Sequence, residues 1–173
     1  MPSYAGFVPT PPEQIDGFLD LIVLSESDLV YDLGSGDGRL LFAALQRGAG
    51  KAVGVELNDK LLQAALELAR SKKVQDQVSF RQADVMEVNL RDASVVFCYL
   101  SLGAAAALKP KFAAELKPGT KIIMEMYPVP GWKPLKTICK DRKRFFLYTM
   151  PPQIETETTA SDPLLDYLNS TPE

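Results

Sequence analysis

The feature that most constrains the fold is the segment VYDLGSGDGR, which runs from Val30 to Arg39. An apolar strand pattern runs into three closely spaced glycines, and an apolar helical pattern follows. A strand, a glycine loop and a helix in this order let the backbone come close to a nucleotide-like ligand. The spacing is G-x-G-x-G, whereas a dinucleotide loop of the form G-x-G-x-x-G would need a glycine at Arg39. A tight turn without a ligand is the alternative, but such a turn does not require three glycines.

Strand-like and helix-like segments alternate along most of the chain, which favours a parallel sheet covered on both faces. We therefore predict an α/β, Rossmann-like fold with a mostly parallel seven-stranded sheet, an antiparallel edge pair and helices on both faces. The predicted strands span residues 29–33, 52–56, 78–81, 94–99, 121–126, 136–140 and 144–150. The predicted helices span about 10–24, 39–47, a long segment from 58, and 104–116, where Pro110 is expected to break or kink the helix.

An acidic residue stands at the end of each of the first three predicted strands: Asp32, Glu56 and Asp84. Ligands of such folds bind at the carboxyl ends of the strands, so these acids are expected near the glycine loop. Glu56 lies 18 residues after Gly38, close to the offset of an acid that accepts from ribose hydroxyls. Asp84 is placed to accept from an adenine amine. The alternative is that strand-end acids only cap the helices that follow, as Asn58 is predicted to do.

These motifs resemble those of class I S-adenosylmethionine (SAM)-dependent methyltransferases. A narrower set of motifs is similar to a family of small protein-lysine methyltransferases, which includes broad-specificity archaeal enzymes and mitochondrial enzymes that modify the adenine nucleotide translocase and the ATP synthase c subunit. The narrower motifs are FVPTP at 7–11, DLGSGDGR at 32–39, LKPK at 108–111, ELKPG at 115–119 and GW at 131–132. The resemblance covers roughly Phe7 to Met150.

The resemblance implies that SAM is the cofactor and that no metal takes part. It implies cofactor contacts from a set of residues around the glycine loop, with Asp32 and the loop at the methionine end. It also implies that an N-terminal arm, through Phe7 and Thr10, closes over the cofactor. The remaining implied contacts are Gly34, Ser35, Gly36, Gly38, Glu56, Asn58 and Asp84.

A lysine amine must lose a proton before it attacks a methyl group, and an apolar, aromatic-lined channel disfavours its ammonium form. Tyr99, Tyr127 and Trp132 fall near the ends of the fourth and fifth predicted strands, where they are expected to line such a channel. Glu125 is expected to orient the amine or relay its proton. The alternative for all four residues is ordinary packing or a surface position. The fourth strand ends without the Asn/Asp-Pro-Pro-Tyr motif typical of enzymes that methylate amide or adenine nitrogen.

The amino-acid composition excludes several other kinds of catalytic and metal-binding site. The chain contains no histidine, which excludes histidine metal sites, Ser-His or Cys-His catalysis and a histidine base. Its two cysteines, Cys98 and Cys139, form no C-x-x-C pair and suit a reducing compartment. No signal peptide or membrane-spanning stretch is evident. We therefore expect a cytoplasmic protein, most simply a monomer, although the sequence leaves its oligomeric state open.

We divide the chain into an N-terminal arm (1–9), a methyltransferase domain (10–150) and an acidic, mobile tail (151–173). The expected function is methyl transfer to accessible lysines of a protein substrate. The basic segment 109–144 keeps RNA open as an alternative substrate, with a small molecule as another. A SAM-binding module without activity is the alternative from a different class. The last glycine of a G-x-G-x-x-G loop would stand at position 39, and Arg39 at that position argues against a nicotinamide cofactor.

Overall fold

The computed structural model describes residues 12–155, which form four helices and nine strands. The helices are α1 (Pro12–Leu19), α2 (Arg39–Gln46), α3 (Asp59–Ser71) and α4 (Leu102–Glu115). The strands are β1 (Leu29–Leu33), β2 (Lys51–Glu56), β3 (Val78–Gln82), β4 (Val95–Cys98), β5 (Lys121–Glu125), β6 (Trp132–Lys133), β7 (Lys136–Lys140), β8 (Lys143–Thr149) and β9 (Gln153–Ile154). No helix within 12–155 is long and apolar enough to cross a membrane.

Seven strands form one sheet in the order β3-β2-β1-β4-β5-β8-β7. Strands β1 to β5 pair in parallel, whereas β8 pairs antiparallel with both β5 and β7. The predicted α/β fold, with its antiparallel edge pair, is confirmed. The strand order reverses at β1, because β2 lies on one side of it and β4 on the other. A ligand of such a sheet binds at this reversal, outside the carboxyl ends of the strands.

Each face of the sheet is covered by helices. Side chains alternate along the central strands, so Val30 of β1 packs on one face and Tyr31 on the other. The first face is buried by α1, α2 and the end of α3, and the second by α4. Helix α1 approaches the sheet closely at Gly17, where an added Cβ atom would lie 2.3 Å from the Phe145 ring. The α1 face carries Asp32 and Glu125, which are described below.

Helix α1 ends at Leu19, so its predicted end near Leu24 is wrong. The apolar spacing continues beyond the helix because Leu21 and Leu24 are buried from an irregular segment that leads back to the start of β1. The prediction that Pro110 breaks its helix is wrong, since α4 runs through this position, whereas a kink there stays a prediction. Ala106, whose carbonyl loses its partner at Pro110, is exposed, so water can replace the missing hydrogen bond.

Strands β6 and β9 form a separate two-stranded sheet that the sequence does not predict. Trp132 stands opposite Ile154 in this pair, and Lys133 opposite Gln153. The segment that we assigned to the tail from residue 151 therefore begins with ordered residues. Two-residue strands carry too little pattern to be read from sequence. The arm 1–9 and the rest of the tail lie outside the described residues.

Candidate cofactor and acceptor site

The glycine loop joins β1 to α2 and adopts a backbone conformation that favours glycine. Gly34, Gly36 and Gly38 have φ values of +87°, +54° and +79°. In this region a residue with a side chain is strained. The backbone N–H groups of Gly34 and Ser35 both donate to the carbonyl of Val55, at 2.9 and 3.0 Å. The loop is thereby fixed against the end of β2.

The wall behind the loop is packed too tightly for another side chain. A Cβ atom on Gly54 would lie 2.5 Å from the Phe80 ring and 2.6 Å from Ser35 Oγ. A Cβ atom on Gly38 would lie 2.8 Å from Phe80. The Ser35 hydroxyl is buried and has no hydrogen-bond partner among the described residues. The loop therefore forms a narrow cradle, with an unsatisfied hydroxyl in its wall, at the end of β1.

Glu56 lies at the end of β2 with its carboxylate across the loop. Its Oε2 accepts from the N–H of Gly36 and its Oε1 from the N–H of Asn58, both at 2.9 Å. Asn58 caps α3, because its Oδ1 accepts from the N–H groups of Lys60 and Leu61. The predicted helix cap is confirmed, whereas a cofactor contact from Asn58 remains a prediction. Each oxygen of Glu56 keeps a second lone pair for a ligand.

Asp32 and Asp84 complete the acidic rim. Asp32 is only 5% exposed, and burial, with the nearby carboxylates of Glu56 and Asp37, raises its pKa to about 7. A positively charged ligand beside these acids would relieve their mutual repulsion. Asp84 is half-buried after β3, and its Oδ1 accepts from the N–H of Met86 at 2.9 Å. An acidic rim of this kind suits a ligand that carries hydroxyl and ammonium donors.

A second group of side chains lies at the carboxyl ends of β4 and β5. Glu125 ends β5, is completely buried, and neither carboxylate oxygen has a hydrogen-bond partner within 12–155. Burial raises its pKa to about 7, opposed by the charge of Lys143. The Lys143 ammonium nitrogen lies 5.8 Å from the ring centroid of Tyr99, which follows β4. An unsatisfied buried carboxyl group is costly, which points to a ligand that satisfies it.

The backbone reverses immediately after Glu125. Met126 has a φ of +66°, and the N–H of Tyr127 donates to the Glu125 carbonyl at 2.9 Å, which closes a three-residue turn. The N–H of Met126 donates to the carbonyl of Arg144 at 2.8 Å, so β8 holds the turn. Strained backbone of this kind concentrates at functional sites. Tyr127 is half-buried and follows directly on this turn.

The structure places three of the residues predicted from sequence on one face of the sheet. By strand alternation Asp32 and Glu125 point to the α1 face, and Tyr99 packs against the core of that face. Sequence reasoning missed Gln14 on α1, which is 9% exposed and has a buried Oε1 without a partner among the described residues. The signal was available, because a polar residue stands one helical turn before the core residue Phe18.

Trp132 does not line this site. It is 2% exposed, and its ring packs against those of Tyr148 and Phe112, at centroid distances of 6.0 and 6.5 Å. It belongs to the core on the α4 face, opposite Glu125, so the expectation of a channel-lining tryptophan is corrected. Its position after β5 suggested a place in the site, but its ring is buried against other aromatic rings of the core. Phe7 and Thr10 lie outside the described residues.

The strand order, the glycine loop at its reversal and the acid at the end of β2 together define a class I methyltransferase. Enzymes of this class use SAM as the methyl donor, and the cradle suits that molecule. The acidic rim can bind its ribose hydroxyls and its ammonium group, and the unpartnered Ser35 hydroxyl can bond to it.

Comparison with known proteins agrees with this class. Residues 32–136 match the ANTKMT methyltransferase domain, and the chain belongs to this family. It is 38% identical over 133 residues to a protein-lysine N-methyltransferase of Saccharolobus islandicus, covering 76% of this chain and 83% of the relative. It is 32% identical over 142 residues to the adenine nucleotide translocase lysine N-methyltransferase of Mus musculus. That match covers 82% of this chain but 62% of the mouse protein.

A solved structure is similar over most of both chains. The RNA methyltransferase from Salinibacter ruber, in complex with S-adenosyl-L-homocysteine, is 33% identical to this chain with a TM-score of 0.81. The match covers 87% of this chain and 98% of that one. The ribosomal protein L11 methylase from Lactobacillus delbrueckii subsp. bulgaricus has a TM-score of 0.65 at 16% identity, which supports the fold alone.

Proposed function

We propose that this chain is a SAM-dependent N-methyltransferase that acts on lysine side chains of proteins. The observation that carries the proposal is the buried, unpartnered carboxyl group of Glu125 at the end of β5. It stands beside an aromatic ring, Tyr99, and a lysine-type amine is the donor that matches both groups. The archaeal and mouse relatives are lysine methyltransferases, which supports the same substrate class.

The cofactor binds in the cradle at the end of β1, and when bound it supplies a methyl group already activated on a sulfonium. Glu56 accepts from the ribose hydroxyls through the lone pairs that Gly36 and Asn58 leave open. Asp84 accepts from the adenine amine through Oδ2, since Oδ1 is used by a backbone N–H. Asp32 neutralises the ammonium group. The remaining contacts come from Gly34, Ser35, Gly36, Gly38 and Asn58.

The acceptor amine binds between Tyr99 and Glu125, with Tyr127 beside them. A free lysine has a pKa near 10.4, so its amine is protonated at neutral pH. Burial of Glu125 gives its carboxyl group a pKa of about 7, which lets it accept a proton and pass it on near neutral pH. The Tyr99 ring stabilises positive charge on the nitrogen.

A second candidate function is methylation of RNA. The similarity to the RNA methyltransferase from Salinibacter ruber, which covers 87% of this chain, favours it. The hairpin of β7 and β8 also presents several basic residues near the acceptor end, among them Lys140 and Arg142. Such residues suit phosphate contacts.

One experiment separates the candidates. Radiolabelled SAM is added with the protein to an extract of cells that lack it, and the products are digested with protease or nuclease. We expect labelled, protease-sensitive bands that disappear with Glu56→Ala and persist with Glu67→Ala, a matched change at an exposed glutamate of α3. Label that is lost to nuclease would support the RNA function. Absence of label, with SAM binding shown by calorimetry, would contradict both candidates.

A further inference from the structure

Lys143 is a charged residue of the acceptor end to which the proposed function gives no role. It opens β8 directly after the two-residue turn of Asp141 and Arg142, and it is half-buried. Its Nζ lies 3.3 Å from Met126 Sδ and 5.8 Å from the centroid of the Tyr99 ring. Its charge also acts on the buried carboxyl group of Glu125. A lysine amine therefore already lies among the groups assigned to the acceptor.

The other lysines nearby are held elsewhere. Lys140, on the same hairpin, donates to Asp20 Oδ2 at 2.7 Å. Lys109 donates to the carbonyl of Pro130 at 2.6 Å, and Lys111 pairs with a glutamate one helical turn away in α4. Each of these amines has an oxygen partner outside the acceptor end. Lys143 instead contacts an aromatic ring and a thioether, which bind an amine without holding it in one strong hydrogen bond.

We propose that Lys143 occupies the position of the acceptor amine and is methylated within its own chain. The inference rests on the proposed function, because it uses the same acceptor groups, Tyr99 and Glu125. It adds a modification site on the enzyme and a competitor for the protein substrate. A substrate lysine must displace the Lys143 side chain before it reaches these groups.

The chemical step balances with SAM as the only co-reactant. The Lys143 ammonium first loses a proton to the Glu125 carboxylate. The free lone pair on Nζ then forms a bond to the methyl carbon, while the electrons of the sulfur–carbon bond remain on sulfur. The products are N-methyl-lysine at position 143 and S-adenosylhomocysteine. The methylated nitrogen carries the positive charge as it forms, because the methyl group leaves its bonding electrons on sulfur, and it keeps its attraction to the Tyr99 ring.

Mass spectrometry of the full chain after incubation with SAM tests the site. Chymotryptic peptides that span 136–145 separate Lys143 from most other lysines, and fragmentation assigns the methyl group among the lysines that remain. We expect methyl groups on Lys143, their loss in Lys143→Arg, and their persistence in the matched hairpin variant Lys140→Arg. The methylated fraction at a fixed time should not change on dilution, because the reaction is intramolecular. Methylation that slows on dilution would overturn the inference.

An experiment that involves no methyl transfer tests directly whether the Lys143 side chain occupies the acceptor position. The protein is saturated with S-adenosylhomocysteine and labelled briefly with an amine-acetylating reagent, with and without a lysine-rich peptide. Displacement of Lys143 by the peptide should raise acetylation of Lys143 and leave that of Lys140 unchanged. Equal acetylation of Lys143 in both conditions would contradict the occupancy.

The outcomes also distinguish this inference from the proposed function. If added proteins are methylated but Lys143 is not, the inference fails and the proposed function stands. If no protein lysine is methylated, including Lys143, the proposed function fails as well.

Discussion

Replacing Glu125 with glutamine removes a charge that the fold buries without a partner. Glutamine has nearly the same shape as a protonated glutamate, so the variant tests ionisation with little change in packing. The wild-type carboxyl group is completely buried, and both oxygens lack a hydrogen-bond partner among the described residues. We expect Glu125→Gln to stabilise the protein at alkaline pH and to lower methyl transfer, because the variant cannot accept a proton.

The magnitude follows from the pKa of the carboxyl group. Burial raises that pKa from 4.5 to about 7. Between these values the folded chain binds more protons than the unfolded chain, so its free energy of unfolding falls as the pH rises through this window. The difference between the two pKa values corresponds to a loss of ~3 kcal/mol in the free energy of unfolding, once the group is ionised in both the folded and the unfolded chain. Glutamine does not titrate, so Glu125→Gln avoids this loss.

Urea unfolding of both proteins at about pH 5 and about pH 8.5 measures the effect. The free energy of unfolding of Glu125→Gln, relative to wild type, should rise by ~2 to 3 kcal/mol between these conditions. Asp32 also titrates in this range, but it is shared by both proteins and cancels in the comparison. The exposed-residue control Glu67→Gln should show no such rise. A pH-independent difference for Glu125→Gln would refute the assignment of a buried, unpaired carboxyl group.

Three further changes test the cradle and the core. Glu56→Ala removes the acceptor of two backbone N–H groups and the proposed ribose contact, so SAM affinity measured by calorimetry should fall at least ~10-fold. Gly54→Ala places a Cβ atom 2.5 Å from the Phe80 ring, and thermal unfolding should show a loss of ~1 to 3 kcal/mol; an unchanged melting temperature would contradict the tight packing. Tyr148→Phe deprives the buried N–H of Val129 of its acceptor at 3.0 Å and should cost ~1 to 3 kcal/mol in urea unfolding.

The parts of the fold that could be predicted from sequence are those in which the local sequence pattern agrees with the tertiary packing. The glycine loop is an example, because the predicted strand, loop and helix are all present, and Gly34, Gly36 and Gly38 have the positive φ values that glycine adopts readily. The end of α1 could not be predicted, since Leu21 and Leu24 are buried without being helical. An apolar residue has the same sequence signature whether a helix or a turn carries it inward.

The acceptor end shows a similar limit. Position after a strand correctly indicated that Glu125 lies at the carboxyl edge, but its burial depends on α1 and β8, which pack against it from distant parts of the chain. Trp132 has the same kind of position and lies on the opposite face, because β6 runs in a separate small sheet. Which face receives a side chain after a strand is decided by the loop that follows, and the sequence alone does not specify that loop.

The close approach of α1 to the sheet at Gly17 has a consequence for acid strength. Phe145, whose ring fills the space where a Cβ atom at Gly17 would lie, stands opposite Glu125 in the antiparallel pair of β5 and β8. Any side chain at this position would push α1 outward and admit water beside the carboxyl group. The pKa of Glu125 would then return toward that of an ordinary glutamate. The spacing between a helix and a sheet thus sets the proton affinity of the acceptor end, through a residue that has no side chain.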